Sequence, residues 1–201
     1  MKPRNRYSQT YRSLKQREKI LSIAGRLFWK KGYLATSIDD IAKAASMNKA
    51  SIYYYFKNKA DILFELASNT MRTLIDQASA ILKSELEPEK KLESFVKNHV
   101  LFQLTNLGLS GVGQIERRNL PRRLLEICNS LRDNYEGIFR NILEQGKSGG
   151  KFQISDKRIA SLFILGFLNS IPSWYKQSGE LQPDEVASEA NAFVSYVLRI
   201  K

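Results

Sequence analysis

The 201-residue sequence contains one cysteine, Cys128, one histidine, His99, and no long apolar run. A single cysteine excludes an internal disulfide framework and is typical of proteins from a reducing cytoplasm. A single histidine leaves little material for a zinc site or for histidine-based catalysis. The longest apolar run, 162–168, is far shorter than the roughly 20 residues that span a membrane. We therefore expect a cytoplasmic protein without a signal peptide or a membrane span.

Motifs of known catalytic chemistry are also missing. The sequence contains no HxE or CxxC motif, no recognisable pair of nucleophile and base, and no glycine-rich phosphate loop. Gly111-Val112-Gly113 is too short to form such a loop. We therefore predict a protein that is not an enzyme and that has no catalytic residue, metal site or cofactor.

Acidic residues are scarce in the first third of the chain, where basic residues accumulate. Residues 1–60 contain 14 Lys and Arg but only three acidic residues, a net charge of +11, whereas residues 61–201 carry a net charge of +1. This asymmetry is typical of a segment that contacts a polyanion, either nucleic acid or an anionic membrane surface. The alternative is a basic face that contacts only solvent.

Hydrophobic residues recur at helical spacing, and alternation with a period of two never persists. The pattern predicts an all-α fold with about nine helices. Residues 1–13 lack periodicity and are predicted to form a flexible basic arm. Helices are expected over 14–31, 38–45, 49–56, 59–86, 88–106, 121–145, 158–175 and 183–200, with a short helix near 114–118 and a loop at 146–150.

Two short helices separated by three residues follow a longer helix in the basic third of the chain. This is the arrangement of a helix-turn-helix, whose second helix enters the major groove of DNA. Ile52 and Phe56 are expected in the core, and the exposed positions of the second helix are Lys49, Ala50, Ser51, Tyr53 and Tyr54. The predicted domains are the arm at 1–13, a helix-turn-helix domain at 14–60 and a larger helical domain at 61–201.

Residues 14–65 resemble the DNA-binding domain of the TetR family of transcriptional repressors. The resemblance is carried by Gly32-Tyr33, Thr36-Ser37-Ile38-Asp39-Asp40-Ile41-Ala42 and Lys49-Ala50-Ser51-Ile52-Tyr53-Tyr54-Tyr55-Phe56-Lys57-Asn58-Lys59. Family members usually have glycine where Ser46 stands. The resemblance implies that phosphates are contacted by Thr36, Ser37, Tyr54, Tyr55 and Lys59, and bases by Lys49, Ala50, Ser51 and Tyr53. In the arm, Arg4, Arg6 and Arg12 either add contacts to DNA or remain in solvent.

The same resemblance implies that the C-terminal domain binds a small ligand and forms a homodimer. The near-neutral charge of 66–201 and its apolar helices support this interpretation independently. The last two predicted helices carry apolar faces wider than one helix–helix contact needs, so we expect them to pair with their copies across a two-fold axis. That symmetry requires double-stranded DNA with a pseudo-palindromic operator as the partner.

The C-terminal third resembles TetR-family members that respond to acyl-CoA thioesters of fatty-acid, aromatic or sterol catabolism. The features that carry this resemblance are Gly150-Lys151-Phe152, Leu165-Gly166-Phe167-Leu168-Asn169 and Trp174-Tyr175. The implied effector is a small apolar ligand that releases the protein from DNA. Another hydrophobic compound (a drug, a steroid or a free fatty acid) is an alternative. An effector-free architectural DNA binder is a further alternative, although it does not explain the apolar C-terminal helices.

Candidate contacts of the ligand come from two groups of residues. The aromatic and polar candidates, each alternatively a plain core residue, are Phe95, His99, Phe102, Gln103, Phe139, Phe163, Phe167 and Trp174. Arg117 and Arg118 adjoin a predicted helix start, and guanidinium groups there suit the phosphates of a CoA headgroup. The alternative for these arginines is a solvated basic surface or ion pairs with Glu116 and Glu126.

Overall fold

The computed structural model describes residues 6–200, with the backbone alone at positions 6–10, 108, 110 and 114. Nine α-helices and one 3₁₀ helix form the secondary structure of this range, which contains no strand, and the predicted all-α fold is confirmed. None of the helices in the range is long and apolar enough to span a membrane. The helices are α1 (Arg6–Lys31), α2 (Ile38–Ala45), α3 (Lys49–Tyr55), α4 (Lys59–Lys83), α5 (Pro88–Thr105), α6 (Leu107–Ile115), the 3₁₀ helix (Glu116–Asn119), α7 (Arg122–Ser148), α8 (Lys157–Trp174) and α9 (Pro183–Val197).

Side-chain caps fix the starts of several helices. Ser37 and Asp40 form a reciprocal pair at the start of α2: the Ser37 Oγ accepts the Asp40 N–H at 3.0 Å, and Asp40 Oδ2 accepts the Ser37 N–H at 2.9 Å. Asn48 caps α3, Asn58 caps α4 and Asp156 caps α8 in the same way, each accepting backbone N–H groups of the first turn. These local bonds explain why the predicted starts of α2, α3 and α4 are confirmed.

The buried side chains form two hydrophobic cores. The first contains residues of α1 to α4 together with Val112, Leu120 and Cys128 from farther along the chain. The second joins α5, α7, α8 and α9 to the distal half of α4, where Leu74 and Ala78 are buried. The helix α4 therefore belongs to both cores, and so the two predicted domains share one packing element.

The first helix starts earlier than the sequence pattern predicts. We expected an arm without periodicity up to Ser13, but α1 begins at Arg6, and residues 6–13 are helical. This segment contains neither glycine nor proline, and each residue added to an existing helix gains one backbone hydrogen bond. The prediction of a flexible arm is therefore wrong for 6–13. Arg4 lies outside the described residues.

Two glycine-containing segments that we predicted to interrupt helices are helical. The α-helix α6 ends at Ile115, so the predicted short helix near 114–118 straddles its junction with the 3₁₀ helix. The predicted loop at 146–150 is wrong because α7 continues to Ser148, and the chain reverses only at Gly150, where φ is +69°. Gly146 is buried inside α7, where a Cβ atom would overlap the ring of Phe152. Gly146 therefore allows close packing inside α7, whereas Gly150 marks the reversal of the chain after it.

Candidate nucleic-acid interface and internal cavity

The helices α2 and α3 are joined by a three-residue turn, as a helix-turn-helix requires. Ser46 ends α2 in the left-handed conformation, with φ at +56°. Asn48 then begins α3, because its Oδ1 accepts the backbone N–H of Ser51 at 2.7 Å and the Ser51 hydroxyl at 2.8 Å. The start of α3 is therefore fixed by hydrogen bonds within the turn itself.

The helix α3 buries one face and presents polar and aromatic side chains on the other. Ile52 and the following Phe56 are buried, as predicted. The half-buried side chains are those of Ser51 and Tyr55, and the exposed ones are those of Lys49, Ala50, Tyr53 and Tyr54. At 1.5 Å per residue, a helix of this length is about 10 Å long and fits the major groove, which is about 12 Å wide.

Lys49, a predicted base contact, forms an ion pair with Asp39 at the exposed surface. The Nζ of Lys49 lies 2.8 Å from Oδ2 of Asp39, and this hydrogen bond raises the pKa of Lys49. Exposed ion pairs of this kind contribute little to stability. To donate to a DNA base, the Lys49 ammonium must either break its hydrogen bond to Asp39 or donate to Asp39 and the base at the same time.

Two side chains that were predicted to contact phosphates donate hydrogen bonds to backbone carbonyls of the protein instead. Thr36 is 1% exposed, and its hydroxyl donates to the carbonyl of Gly32 at 2.8 Å. The ammonium of Lys59 donates to the carbonyls of Tyr33 and Thr36, both at 2.7 Å, and lies 4.3 Å from the centre of the Tyr33 ring. Burial lowers the pKa of Lys59. We therefore remove the Thr36 and Lys59 side chains from the phosphate-contacting set, since they hold together the loop between α1 and α2.

Arg17, which the sequence analysis missed, connects α1 to α3 and α4. Its guanidinium donates to both carboxylate oxygens of Glu65 and to the carbonyl of Tyr55, the latter at 2.6 Å, and it stacks on the ring of Phe56 at 4.3 Å. Hydrogen bonding to Glu65 raises the pKa of Arg17. No local pattern could have revealed this residue, because each partner lies far away along the chain.

The start of α1 and the exposed face of α3 border the same open groove. Arg12 and Gln16 line it from α1, while Ala50, Ser51 and Tyr54 line it from α3. Arg12 is exposed, and for Arg6 only the backbone is described. Basic side chains at the start of α1 therefore extend the charged surface that surrounds α3.

An internal cavity of about 300 Å³ lies between α4, α5, α6, α7 and α8. This is at the lower end of the volumes of small-molecule sites. Apolar atoms make up most of the lining surface, although about half of the lining residues are polar or charged. The lining residues are Ala67, Thr70, Met71, Leu74, His99, Gln103, Gly113, Arg117, Cys128, Arg132, Asp133, Tyr135, Glu136, Leu162, Leu165, Gly166 and Asn169.

One wall of the cavity carries a buried polar network centred on His99. Its Nδ1 lies 2.9 Å from the Tyr135 hydroxyl, its Nε2 contacts the amide of Gln103, and that amide donates to Asn169 Oδ1 at 3.0 Å. Burial lowers the pKa of His99 to about 4 and raises that of Tyr135. His99 is therefore neutral at physiological pH and offers hydrogen bonds rather than charge. No group of three His, Cys, Asp or Glu within the described part of the chain could hold a metal ion.

Three of the ten predicted ligand contacts line the cavity, namely His99, Gln103 and Arg117. Phe95 and Phe139 are instead core residues, whose rings stack with centroids 4.4 Å apart. Phe102 and Phe167 pack against the same core, while Arg118, Phe163 and Trp174 are exposed. These seven predictions are corrected: four of the aromatic rings fill the space between helices, and the other three side chains are exposed.

Charged residues that the sequence analysis missed line the cavity beside Arg117. Arg132, Asp133 and Glu136 project from α7, one helical turn apart or less. Burial lowers the pKa of Arg132, as does the charge of Arg117. A repeated helical spacing of charged residues usually indicates a solvated face, so nothing in the sequence distinguished these residues from surface ones.

The exposed sides of α8 and α9 carry large apolar side chains. Phe163 is 75% exposed and Tyr196 is 83% exposed, and the Phe167 and Phe193 rings lie in contact between the two helices, with centroids 4.7 Å apart. Contiguous apolar surface of this kind is typical of interaction sites. The other exposed apolar side chains of these helices are Ile159, Leu162, Trp174 and Val197.

The helix α6 and the 3₁₀ helix connect the cavity to the helix-turn-helix. Gly113 lines the cavity, where a Cβ atom would lie 3.0 Å from the Ala67 Cα, and a Cβ atom on Gly111 would overlap the Trp29 ring of α1. Glu116 Oε1 accepts the backbone N–H of Tyr33 at 3.1 Å. Its neighbour Arg117 lines the cavity, so consecutive residues contact the cavity and the loop before α2.

Comparison with known proteins agrees with this arrangement along most of the chain. Residues 20–66 match the family profile "Bacterial regulatory proteins, tetR family", and residues 85–200 match "Tetracyclin repressor-like, C-terminal domain". The fatty acid metabolism regulator protein of Bacillus subtilis is 28% identical, over 77% of this chain and 81% of that protein. The HTH-type transcriptional repressor KstR2 of Rhodococcus jostii is 26% identical, over 91% of this chain and 89% of that protein.

A solved structure extends the likeness to the whole fold. The crystal structure of AibR in complex with isovaleryl coenzyme A and operator DNA has a TM-score of 0.82 with this protein, at 21% identity, and covers 92% of this chain and 100% of that one. The family profiles, the helix-turn-helix and the helical C-terminal region with its cavity lead to one conclusion. The chain belongs to the tetR family of bacterial regulatory proteins and is a DNA-binding transcriptional repressor.

Proposed function

We propose that the protein binds a pseudo-palindromic operator as a homodimer and is released by a small apolar ligand that occupies the internal cavity. The proposed ligand is an acyl-CoA thioester of fatty-acid or related catabolism. The observation that carries this proposal is the pair of adjacent residues Glu116 and Arg117. One of them holds the loop before the helix-turn-helix, and the other lines the cavity.

The proposed DNA contacts follow from the exposure of α2 and α3. Lys49, Ala50, Ser51 and Tyr53 are the proposed base contacts, and Ser37, Tyr54 and Tyr55 are the proposed phosphate contacts. The free hydroxyl of Tyr54 suits a phosphate oxygen, because that side chain is 80% exposed and has no role in the core. Arg12 adds a positive charge at the border of the same groove.

The proposed dimer pairs α8 and α9 with their copies across a two-fold axis. Pairing would cover the exposed apolar side chains of both helices, including Phe163 and Tyr196. A two-fold dimer presents two copies of α3 to DNA, which requires two half-sites in inverted orientation. The dimer is therefore the simplest arrangement that accounts for both the apolar face and the basic one.

The proposed ligand class rests on the cavity and on two relatives. The cavity surface is mostly apolar, and its polar network can donate a hydrogen bond to a carbonyl group. A fatty acid metabolism regulator is among the similar proteins, and AibR binds isovaleryl coenzyme A. An acyl chain in the cavity with its thioester carbonyl near His99 fits both the lining and these likenesses.

Release from DNA follows from linkage through α6. A ligand that displaces Arg117 or Gly113 also moves Glu116, whose bond to the Tyr33 N–H positions the loop before α2. By thermodynamic reciprocity, operator DNA must weaken ligand binding by the same factor by which the ligand weakens DNA binding. A change in the separation of the two α3 helices would then break their match to successive major grooves.

The proposal is tested by measuring ligand and DNA binding on the same preparation. Thermal melting is recorded with CoA thioesters of increasing acyl length, with the free acids and with CoA alone. A thioester at 100 times its Kd adds about 2.7 kcal/mol to the free energy of unfolding, which raises the Tm by roughly 5–10 °C for a chain of this length. Operator fragments selected from random DNA are then titrated with and without the stabilising compound.

The expected result is stabilisation by one class of thioester, together with loss of operator binding at the same concentration. Stabilisation by none of the thioesters would contradict the acyl-CoA assignment while leaving DNA binding intact. Stabilisation without any change in operator affinity would contradict the proposed release mechanism.

A further inference from the structure

The cavity contains a cation that has no partner within the described part of the chain. Arg132, on α7, is half-buried and lines the cavity, yet it makes no hydrogen bond or ion pair with any described residue. A guanidinium group has five N–H donors in a planar fork. Leaving a partly buried charge of this kind unpaired is costly, so its persistence points to a ligand.

A second guanidinium group lines the same cavity. Arg117, from the 3₁₀ helix, donates from Nη1 to the neutral amide oxygen of Asn129 at 2.6 Å and has no ion pair with a described carboxylate. Its charge acts on Arg132 and lowers the pKa of that residue. Two cations thus face one small volume and repel each other.

The nearest carboxylates do not neutralise this pair. Glu136 also lines the cavity, but its Oε1 accepts the Ser161 hydroxyl at 3.1 Å and lies 3.6 Å from Nε of Arg140. Asp133 is exposed to solvent and forms no ion pair with a described residue. The charges of both carboxylates oppose the lowering of the pKa of Arg132, but neither carboxylate forms an ion pair with it.

On α4 and α8 the lining is apolar apart from Thr70 and Asn169. Met71 and Leu74 contribute from α4, and Leu162 and Leu165 contribute from α8. An occupant that satisfies both parts of the cavity therefore needs an apolar body and one negatively charged group. Carboxylates and phosphates both match the guanidinium fork in a bidentate geometry.

We propose that Arg117 and Arg132 together bind the anionic group of an amphipathic effector whose apolar part fills the rest of the cavity. This inference rests on the proposed function and specifies the chemistry of the same ligand. It replaces Arg118 by Arg132 as the partner of Arg117, because Arg118 and the nearby Arg122 form an exposed arginine cluster in which Arg122 pairs with Glu126 at 2.9 Å. The anion is either the carboxylate of a free fatty acid or a phosphate of a thioester headgroup.

The test measures ligand binding without DNA, by calorimetry on the full-length protein. The probes are dodecanoic acid, its methyl ester and dodecanoyl-CoA. The variant is Arg132→Gln, and the matched control on the same helix is Arg122→Gln, which removes an arginine that lies outside the cavity. Circular dichroism melting checks the fold of both variants.

We expect Arg132→Gln to weaken binding of one charged probe by about 10- to 100-fold, the range expected for lost hydrogen bonds between charged groups. Binding of the methyl ester to this variant should match that of the wild type. Arg122→Gln should bind all three probes like the wild type. A loss confined to the acid identifies a carboxylate, and a loss confined to the thioester identifies a headgroup phosphate.

Two results would overturn the anion site. One is equal weakening of the charged probes and the methyl ester by Arg132→Gln, which would indicate a change of shape rather than of charge. The other is an equal loss in Arg122→Gln, which would return the site to the exposed arginine cluster. Operator release is measured separately, so a protein that binds the charged probe through Arg132 but stays on DNA would contradict only the proposed function.

Discussion

The DNA-binding surface and the internal cavity are assembled from the sequence in different ways. The surface depends on partners close together in the chain: Ser37 with Asp40, and Asn48 with Ser51. The cavity takes its lining from five helices, so residues of α4 and α8 face the same space. A surface fixed by local hydrogen bonds can be predicted from spacing, whereas a cavity exists only after the helices have packed. The following predictions test that difference, from the largest expected effect to the smallest.

Acidification should destabilise the cavity region through His99. The pKa of this residue is about 4 in the folded protein and 6.5 in a model peptide, because burial disfavours the charged form. At pH values between these two pKa values, His99 is protonated in the unfolded chain but not in the folded chain. The free energy of unfolding therefore falls as the pH falls. The full shift corresponds to about 3 kcal/mol.

Chemical denaturation at pH 7.5, 6, 5 and 4.5 measures this effect in the wild type and in His99→Gln. The variant cannot titrate at this position, and the other ionisable groups beside His99, Arg132 and Tyr135, keep their charge states in this range. We expect a shallower loss of stability in the variant. Parallel pH profiles of the two proteins would refute the assignment to His99.

Gly111→Ala should break the packing that joins the two regions. The new Cβ atom overlaps the Trp29 ring, so either that ring is displaced from its site or α1 and α6 move apart. Overpacking of this kind costs about 2 kcal/mol, and urea denaturation measures it. Gly137→Ala is the matched control: no atom outside its own helix backbone lies within 4 Å of its Cβ position, and replacing a helical glycine by alanine adds up to about 1 kcal/mol. Similar changes in both variants would contradict the close approach of α1 and α6.

Lys59→Met should destabilise the loop before α2 rather than act as the loss of one phosphate contact. The ammonium holds the carbonyls of Tyr33 and Thr36, and hydrogen bonds to charged groups contribute about 1.5–3 kcal/mol. Because Lys59 is only half-buried, we expect a loss of about 1.5 kcal/mol in urea. An unchanged stability, with a salt dependence of DNA binding reduced by one phosphate, would restore the original prediction from the sequence.

Asp39→Asn should produce the smallest effect on stability and a small gain in DNA affinity. The Lys49–Asp39 pair is exposed, and such pairs contribute less than about 1 kcal/mol. Removing the carboxylate frees Lys49 and removes a negative charge from the surface around α3. Fluorescence anisotropy with random-sequence DNA at two salt concentrations should show binding tightened a few-fold, with the larger gain at the lower concentration. Weaker binding would mean that Asp39 positions Lys49 for DNA.

The sequence was sufficient for most of the helices and for the division of α3 into a buried face and an exposed face. A capping residue such as Asn48 indicates where a helix starts. The four-residue spacing of the apolar residues Ile52 and Phe56 indicates which face of α3 is buried. Thr36 and Lys59 were misjudged because their partners are backbone carbonyls, which every residue carries and no sequence pattern marks.

The cavity was only partly predictable, for a physical reason. Aromatic residues were chosen as ligand contacts because they are large and apolar, but the same properties drive Phe95 and Phe139 into the core. The residues that do line the cavity include His99, Gln103 and Arg132, and which side chains reach this space depends on how the helices pack. Arg132 could not be distinguished from a solvated residue because its burial depends on the helices that pack around the cavity and not on its own helix.

The sharing of α4 between the two cores limits how this protein can be recombined with its relatives. The core beneath the helix-turn-helix is completed by Val112, Leu120 and Cys128, which lie outside the first 60 residues. If those 60 residues were grafted onto another regulator, their core would lack these three side chains. It would instead pack against the side chains of the other regulator, which differ in size and shape. A working chimera has to transfer α6 and the start of α7 together with the helix-turn-helix domain. The transferable unit therefore consists of segments that are separated in the sequence but packed together in the structure.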